Sequence, residues 1–271
     1  MQVDFANFLL KIDNQPIERI GRGCKETGFK FVGHVIDEFL SWDDHINHVI
    51  TKLAKGNYAI SRSKNILPLN IKKLLYNSLF RSHLEFGIIA WSSALCSKLQ
   101  PIVNLQKKCI RNIMNANYRA HTDPIFKTLQ ILKFEDLCFI NKAKFMHSYY
   151  NDMVPESFNN MFTLMSETGI RFSEYRDNEG TYCVENCKNA FLERMPKASL
   201  TKSWNSLPLY IKNTESKKSF GEKINKLCLD KYPNIVDCDD LACPSCFPNQ
   251  LWFKSGLSAI KNPFYIDWRE R

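Results

Sequence analysis

The sequence predicts a chain of the α+β class that is mostly α. A small N-terminal antiparallel hairpin or sheet comes first, then a basic helical bundle, then a mixed C-terminal region. Three observations lead there. Extended apolar runs and turn residues crowd the first 40 positions, a 3.6-residue apolar period governs residues 41–150, and that period weakens beyond about residue 163. Of 271 residues 44% are hydrophobic, 13% aromatic and 24% charged. That composition is globular and can bury a sizeable core. It excludes a disordered tail, a collagen-like chain and a coiled-coil rod.

Residues 5–12 read as a strand, Asp13 to Gln15 as a turn and Pro16 to Ile20 as a second strand. Phe29 to Ile36 reads as a third strand. A strand so close to the first residue suggests that neighbouring strands of a larger sheet precede it. Ser41 is placed to cap a helix whose first turn holds Asp43 and Asp44. Its apolar stripe is Ile46, Val49, Ile50, Leu53 and Ile60, and Pro68 ends it. Asn70 is read as the cap of a second helix with Ile71, Leu74, Leu75 and Leu79. A third helix is expected over about Lys98 to Asn117, with Pro101 tolerated in its first turn. Asp123-Pro124 opens a short helix, Glu135 to Asn151 forms another, and Pro155 starts one more. Beyond that, Ser199 to Ser206 and Ser216 to Lys231 read as helical, and the last forty residues have little period. These readings divide the chain into 1–40, 41–150, 151–232 and 233–271.

The formal charge is +9, from 37 Lys and Arg against 28 Asp and Glu. Residues 41–150 hold 16 basic and 6 acidic residues, and each of the other three segments lies within one charge of neutrality. An ordinary solvated surface mixes the signs. Here the basic side chains lie opposite the apolar stripes. His48, Lys52, Lys55 and Arg62 follow i, i+4, i+7, i+14 spacing on one helix. Asn104, Lys108, Arg111 and Asn115 follow i, i+4, i+7, i+11 on another. Two such faces can follow a phosphate backbone. For either helix alone a solvated surface is the better reading; the one-sided sign across the whole segment weighs against it.

At this point the residues resemble a known family. Phe29-Lys30-Phe31-Val32-Gly33, Val35 to Glu38, Leu40-Ser41-Trp42 and His45-Ile46 form an ordered block. Leu67-Pro68, Lys73 to Phe80, Ser82 to Gly87 with Ala90-Trp91, Leu105 to Arg111, Leu129 to Leu132, Lys144 to His147, Trp204 to Pro208 and Ile211-Lys212 continue it. The series is similar to the C-terminal part of non-long-terminal-repeat (LINE-type, jockey-like) retrotransposon reverse transcriptases, and it covers about residues 29–230. Each motif is weak by itself; the common order is specific. The chain departs from the family pattern at Val32 and His34, and His34 is read as a surface strand residue.

The resemblance implies the end of the palm over 1–40, the thumb over 41–150, and the region after the thumb beyond it. It marks Phe29, Phe31 and Gly33 as primer-grip-like residues, with an RNA template and a cDNA primer as partners. It also implies a nuclear or cytoplasmic ribonucleoprotein setting. Family members bind Mg²⁺ at aspartates upstream of this block, where the two ions stabilise the attacking and leaving oxygens. Asp43-Asp44 opens a helix and Asp239-Asp240 lacks the preceding aromatic residue, so neither is expected to be that pair. The expectation is a fragment of an RNA-directed DNA polymerase with no catalytic residue of its own, inactive alone and retaining duplex binding.

The ten cysteines are too sparse for a small disulfide scaffold. Several sit in apolar runs, as reduced intracellular thiols do. No basic secretory leader and no apolar run of membrane-spanning length is seen. Cys238, Cys243 and Cys246, with Cys228 as a fourth ligand, have the spacing of a Zn²⁺ site. Cys183 and Cys187 are a weaker pair. This supplies the alternative reading: a degenerate or domesticated zinc-stabilised structural or interaction module with no nucleic-acid role. No Gly-x-Ser-x-Gly elbow supports a hydrolase.

Overall fold

A computed structural model describes residues 11–16, 20–21, 28–168, 180–184 and 189–233. Two short antiparallel pairs come first. β1 (Lys11–Ile12) pairs with β2 (Gln15–Pro16), and β3 (Gly28–Phe31) pairs with β4 (His34–Asp37). The single strand expected over Phe29 to Ile36 is thus a hairpin. Val32 (φ 44°) and Gly33 (φ 83°) both take positive φ, as the favoured two-residue hairpin turn requires. Glycine adopts that geometry at no steric cost.

The rest of the described chain is mainly helical. α1 (Asp43–Ser63) starts one residue after Trp42, which has φ 64°. Ser41 is not its N-cap, contrary to expectation. The Asp37 carboxylate organises this entry instead, accepting from the Ser41 N–H at 3.0 Å and the Trp42 N–H at 2.9 Å. α2 (Leu69–Tyr76) begins after Pro68 rather than at an Asn70 cap. It runs through a π-helical turn (Asn77–Arg81) into α3 (Ser82–Glu85), and α4 (Ile88–Trp91) follows. α5 (Cys96–Met114) ends at Asn115, whose left-handed conformation (φ 53°) is a familiar helix stop.

α6 (Asp123–Leu129) carries its proline in the first turn. α7 (Phe134–Tyr150) is the central helix, buried on several sides through Phe134, Leu137, Ile140, Ala143 and Met146. Pro155 is followed by a single 3₁₀ turn, Glu156–Phe158. α8 (Ala190–Arg194), α9 (Pro196–Asn205), α10 (Leu209–Lys212) and α11 (Lys217–Asp230) complete the described chain.

α1 packs along α5, and α9 and α11 pack against α7. Asn112 Nδ2 donates to Asn57 Oδ1 across the α1–α5 seam at 2.8 Å. At Gly56 the helix meets the π-helical turn so closely that a Cβ would lie 2.8 Å from the Leu79 carbonyl oxygen. Gln106 ties three segments together. Its amide donates to the Tyr76 hydroxyl and the Leu132 carbonyl, and its oxygen accepts from the Phe134 N–H at 2.9 Å. One hydrophobic core runs from Trp42 to Tyr232. The change in charge near residue 150 therefore does not coincide with a break in packing.

Candidate nucleic-acid interface

The apolar stripe of α1 is committed to the core through Ile46, Val49, Leu53 and Ile60, so the rest of its circumference faces outward. Lys55 and Arg62 are exposed there, and His48 and Lys52 are half-buried beside them. None of Lys52, Lys55 and Arg62 forms an ion pair among the described residues. The acidic first turn of α1 is used differently: Asp43 pairs with Lys98 at the start of α5.

On α5 the four named residues diverge. Asn104 and Lys108 are exposed, with Asn104 accepting from Gln100 Nε2 at 3.2 Å. Asn115 is the helix stop. Arg111 is half-buried and donates from Nε to the Ala120 carbonyl at 2.8 Å, tethering the loop after the helix. Its Nε is therefore committed to that loop, whereas Lys108 has no partner among the described residues.

The hairpin supplies the third part of the surface. Phe29, Phe31 and Val32 stand exposed, with Val32 at 71%. Gly33 approaches Phe86 so closely that a Cβ would sit 3.1 Å from its ring. His34 is not the surface strand residue expected from the sequence. It stacks on Phe86 with ring centroids 4.8 Å apart and lies 4.9 Å from the His45 ring. Gly87 leaves the space it occupies, since a Cβ there would collide with His34 Nε2.

His45 completes the joint. Its Nδ1 accepts from the Val35 N–H at 3.3 Å, so the ring is neutral with its proton on Nε2. Burial, aided by His34, His48 and Lys52, pushes its pKa down to about 4. His48 and His83 are likewise lowered by burial, then by nearby lysines. Sequence spacing groups His48, Lys52 and Lys55 on one helix face. The charges of Lys30 on β3 and His83 on α3 also act on His48, which no single-helix period encodes.

Asp43-Asp44 lies in a helix start, not between strands. Among the described residues no group of three or more His, Cys, Asp or Glu side chains is disposed to hold a metal ion. Cys228 lies wholly in the core on α11, where burial pushes its thiol up to about 12 and Asp136 hydrogen-bonds to it. To ligate zinc it would have to leave that environment. Cys238, Cys243, Cys246 and Cys187 lie outside the described residues, as does Asp239-Asp240. Among the described residues no helix is long and apolar enough to cross a membrane.

A curated relative is 30% identical over 112 residues: the RNA-directed DNA polymerase from mobile element jockey of Drosophila melanogaster. The matched stretch is 40% of this chain and 12% of that protein. No family model matches, and no solved structure matches. The similarity supports a relationship to LINE-type reverse transcriptases at the level of the family.

Proposed function

We propose that this chain is the part of a LINE-type reverse transcriptase that holds the template–primer duplex. In this reading α1 and the outer face of α5 act as the thumb surface, and the β3–β4 hairpin acts as the primer grip. The polymerising aspartates and their Mg²⁺ ions belong to a segment outside this chain. The observation that carries the reading is the state of the basic residues. Lys52, Lys55, Arg62 and Lys108 have no carboxylate partner among the described residues, although their helices are firmly anchored in the core. A rigid array of unneutralised cations is what a polyanion requires. The similarity to the jockey polymerase supports the same reading.

Binding of a short blunt-ended RNA–DNA hybrid, measured at several salt concentrations, tests it. Lys52→Glu, Lys55→Glu, Arg62→Glu and Lys108→Glu together are expected to weaken affinity by more than about tenfold. The salt slope is expected to shrink by about 0.7–0.9 for each phosphate that is no longer neutralised. Arg111 is left intact, because replacing it would release the loop at Ala120. Unchanged affinity and slope would overturn the reading. Primer extension by the isolated chain with Mg²⁺ and deoxynucleotides is expected to be blank.

A further inference from the structure

Two tyrosines on the basic side of the molecule are left unexplained by a surface that only follows phosphates. Tyr58 is 67% exposed and Tyr118 is 73% exposed. Tyr58 lies three residues after Lys55 and four before Arg62, so the three side chains share one outward stripe of α1. Tyr118 stands in the loop after α5, where the Arg119 guanidinium lies over its ring, 5.2 Å from the centre.

Packing brings both tyrosines to one end of the helix pair. Asp43 pairs with Lys98, and Asn112 Nδ2 donates to Asn57 Oδ1 at 2.8 Å. The partners of each pair are 55 residues apart in sequence. An equal offset at two points makes α1 and α5 parallel, so their C-terminal ends lie together. Tyr58, Arg62, Tyr118 and Arg119 belong to that end. The loop itself is held in place. Arg111 Nε donates to the Ala120 carbonyl at 2.8 Å, the Arg119 N–H to Asn117 Oδ1 at 3.0 Å, and the Ala120 N–H to the Asn117 carbonyl at 3.0 Å.

This stretch of chain is poor in carboxylates. Between Asp44 and Asp123 the sequence holds one, Glu85, and it pairs with Arg81 at 3.0 Å. Asp44 is at the opposite end of α1, and Asp123 pairs with Lys133 at 2.9 Å. Arg62 and Arg119 form no ion pair among the described residues.

We propose that this end of the α1–α5 pair binds unpaired nucleotides that continue from the held duplex. One base stacks on the face of Tyr118 opposite Arg119, another stacks on Tyr58, and their phosphates meet Arg62 and Arg119. This rests on the reading of the two helices as a duplex-holding surface and names a second part of the nucleic acid they take. Inside a duplex each base is stacked on its neighbours, so exposed rings beside unneutralised cations fit a single strand. Every base has a π-face, so the site accepts any sequence. The pinned loop lowers the cost of ordering on binding. Unpaired RNA and unpaired DNA share this chemistry, and separate probes tell them apart.

The full chain is titrated with the blunt RNA–DNA hybrid and with two hybrids of the same paired length, one carrying a short single-stranded extension on the RNA strand and one on the DNA strand. At least one extended hybrid is expected to bind about fivefold to tenfold more tightly than the blunt one for each base stacked. Tyr58→Ala with Tyr118→Ala is expected to bring the ratio of extended to blunt affinity to near one. Tyr58→Phe with Tyr118→Phe keeps both rings and is expected to keep the ratio. Both side chains are exposed, and circular dichroism confirms the fold of each variant. A fluorescent adenine analogue in the extension is expected to be quenched by the unsubstituted chain, a readout that requires no variant to fold.

A gain from the extension that is lost with Ala and kept with Phe supports the site, and the strand that shows it identifies the source. Equal affinity for blunt and extended hybrids overturns this inference and leaves the duplex-holding function standing. A gain that survives the Ala substitutions also overturns it, because the extension is then held elsewhere. A gain lost equally with Phe overturns stacking as its cause. No binding of any hybrid overturns both readings.

Discussion

Four basic residues on α1 and α5 contrast with several from α6 to α11 in what their charges do. On α1 and the outer face of α5, Lys52, Lys55, Arg62 and Lys108 lack carboxylate partners among the described residues. Across α6 to α11 several basic side chains are built into the fold, whereas Lys217, Lys218 and Lys226 on α11 are exposed. Lys127 donates to the Tyr232 carbonyl at 2.6 Å, and Lys133 pairs with Asp123 at 2.9 Å. Lys202 pairs with Glu193, and Lys223 donates to Thr214 Oγ1 at 2.9 Å. Lys142 and Lys212 are buried outright, the latter with its Nζ 5.9 Å from the Trp204 ring centre. Net charge counts all of these equally. A side chain already committed within the fold is not available to a polyanion, so commitment, not composition, decides which of these charges can act.

The largest expected effect tests how far the second side depends on its core. Trp204 is fully buried, its indole N–H donates to the Gly180 carbonyl at 2.7 Å, and its ring lies 5.4 Å from that of Tyr150. Trp204→Ala removes the ring from a core shared with α7 and α11. It is expected to cost about 3–5 kcal/mol in urea denaturation. Because one core spans both sides, tryptophan fluorescence and far-ultraviolet dichroism should report one coincident transition. Separate transitions would show that the two sides fold independently.

The helices were legible in the sequence wherever an apolar period met a clear stop. α1, α5, α6, α7 and α11 lie within a few residues of their expected bounds, because Pro68, Pro124 and the stripes of Ile, Val and Leu are local signals. The hairpin was less legible. Its turn depends on Val32 taking a left-handed conformation, which a β-branched residue rarely does. The helix starts also escaped local reading, since the group serving α1 is Asp37 from the preceding strand. On the outward face of α1, spacing groups His48, Lys52 and Lys55. It could not show that Arg111 clasps Ala120, nor that Lys30 and His83 arrive from other elements.

The histidine joint under the hairpin gives the next effect in size. His45 is almost wholly buried, and its pKa of about 4 lies below the ordinary value near 6.5. Between those values the unfolded chain carries a proton that the folded chain refuses. Stability from this group is therefore complete above about pH 6.5, declines as pH falls, and is gone below about pH 4, by roughly 3 kcal/mol in all. His45→Gln can still accept from the Val35 N–H but does not titrate in this range. Its denaturation midpoint is expected to fall less steeply over the interval. An equal slope in both proteins would remove His45 as the cause.

The smallest stability effects are expected from a matched pair of substitutions that sets the two sides directly against each other. Lys142 is buried on α7, and desolvation lowers its pKa below the ordinary lysine value. The unfolded state therefore holds its proton more readily, and at neutral pH that difference works against folding. Lys142→Met fills similar space without the charge and is expected to leave stability unchanged or raise it. Lys55 on α1 is exposed and unpaired among the described residues, so Lys55→Met should shift stability by no more than about 0.5 kcal/mol. Only Lys55→Met should weaken hybrid binding. Measuring both variants by denaturation and by hybrid titration separates the properties. If Lys142→Met lowered affinity as much as Lys55→Met, total charge rather than side-chain commitment would govern binding, and the contrast between the two sides would fail.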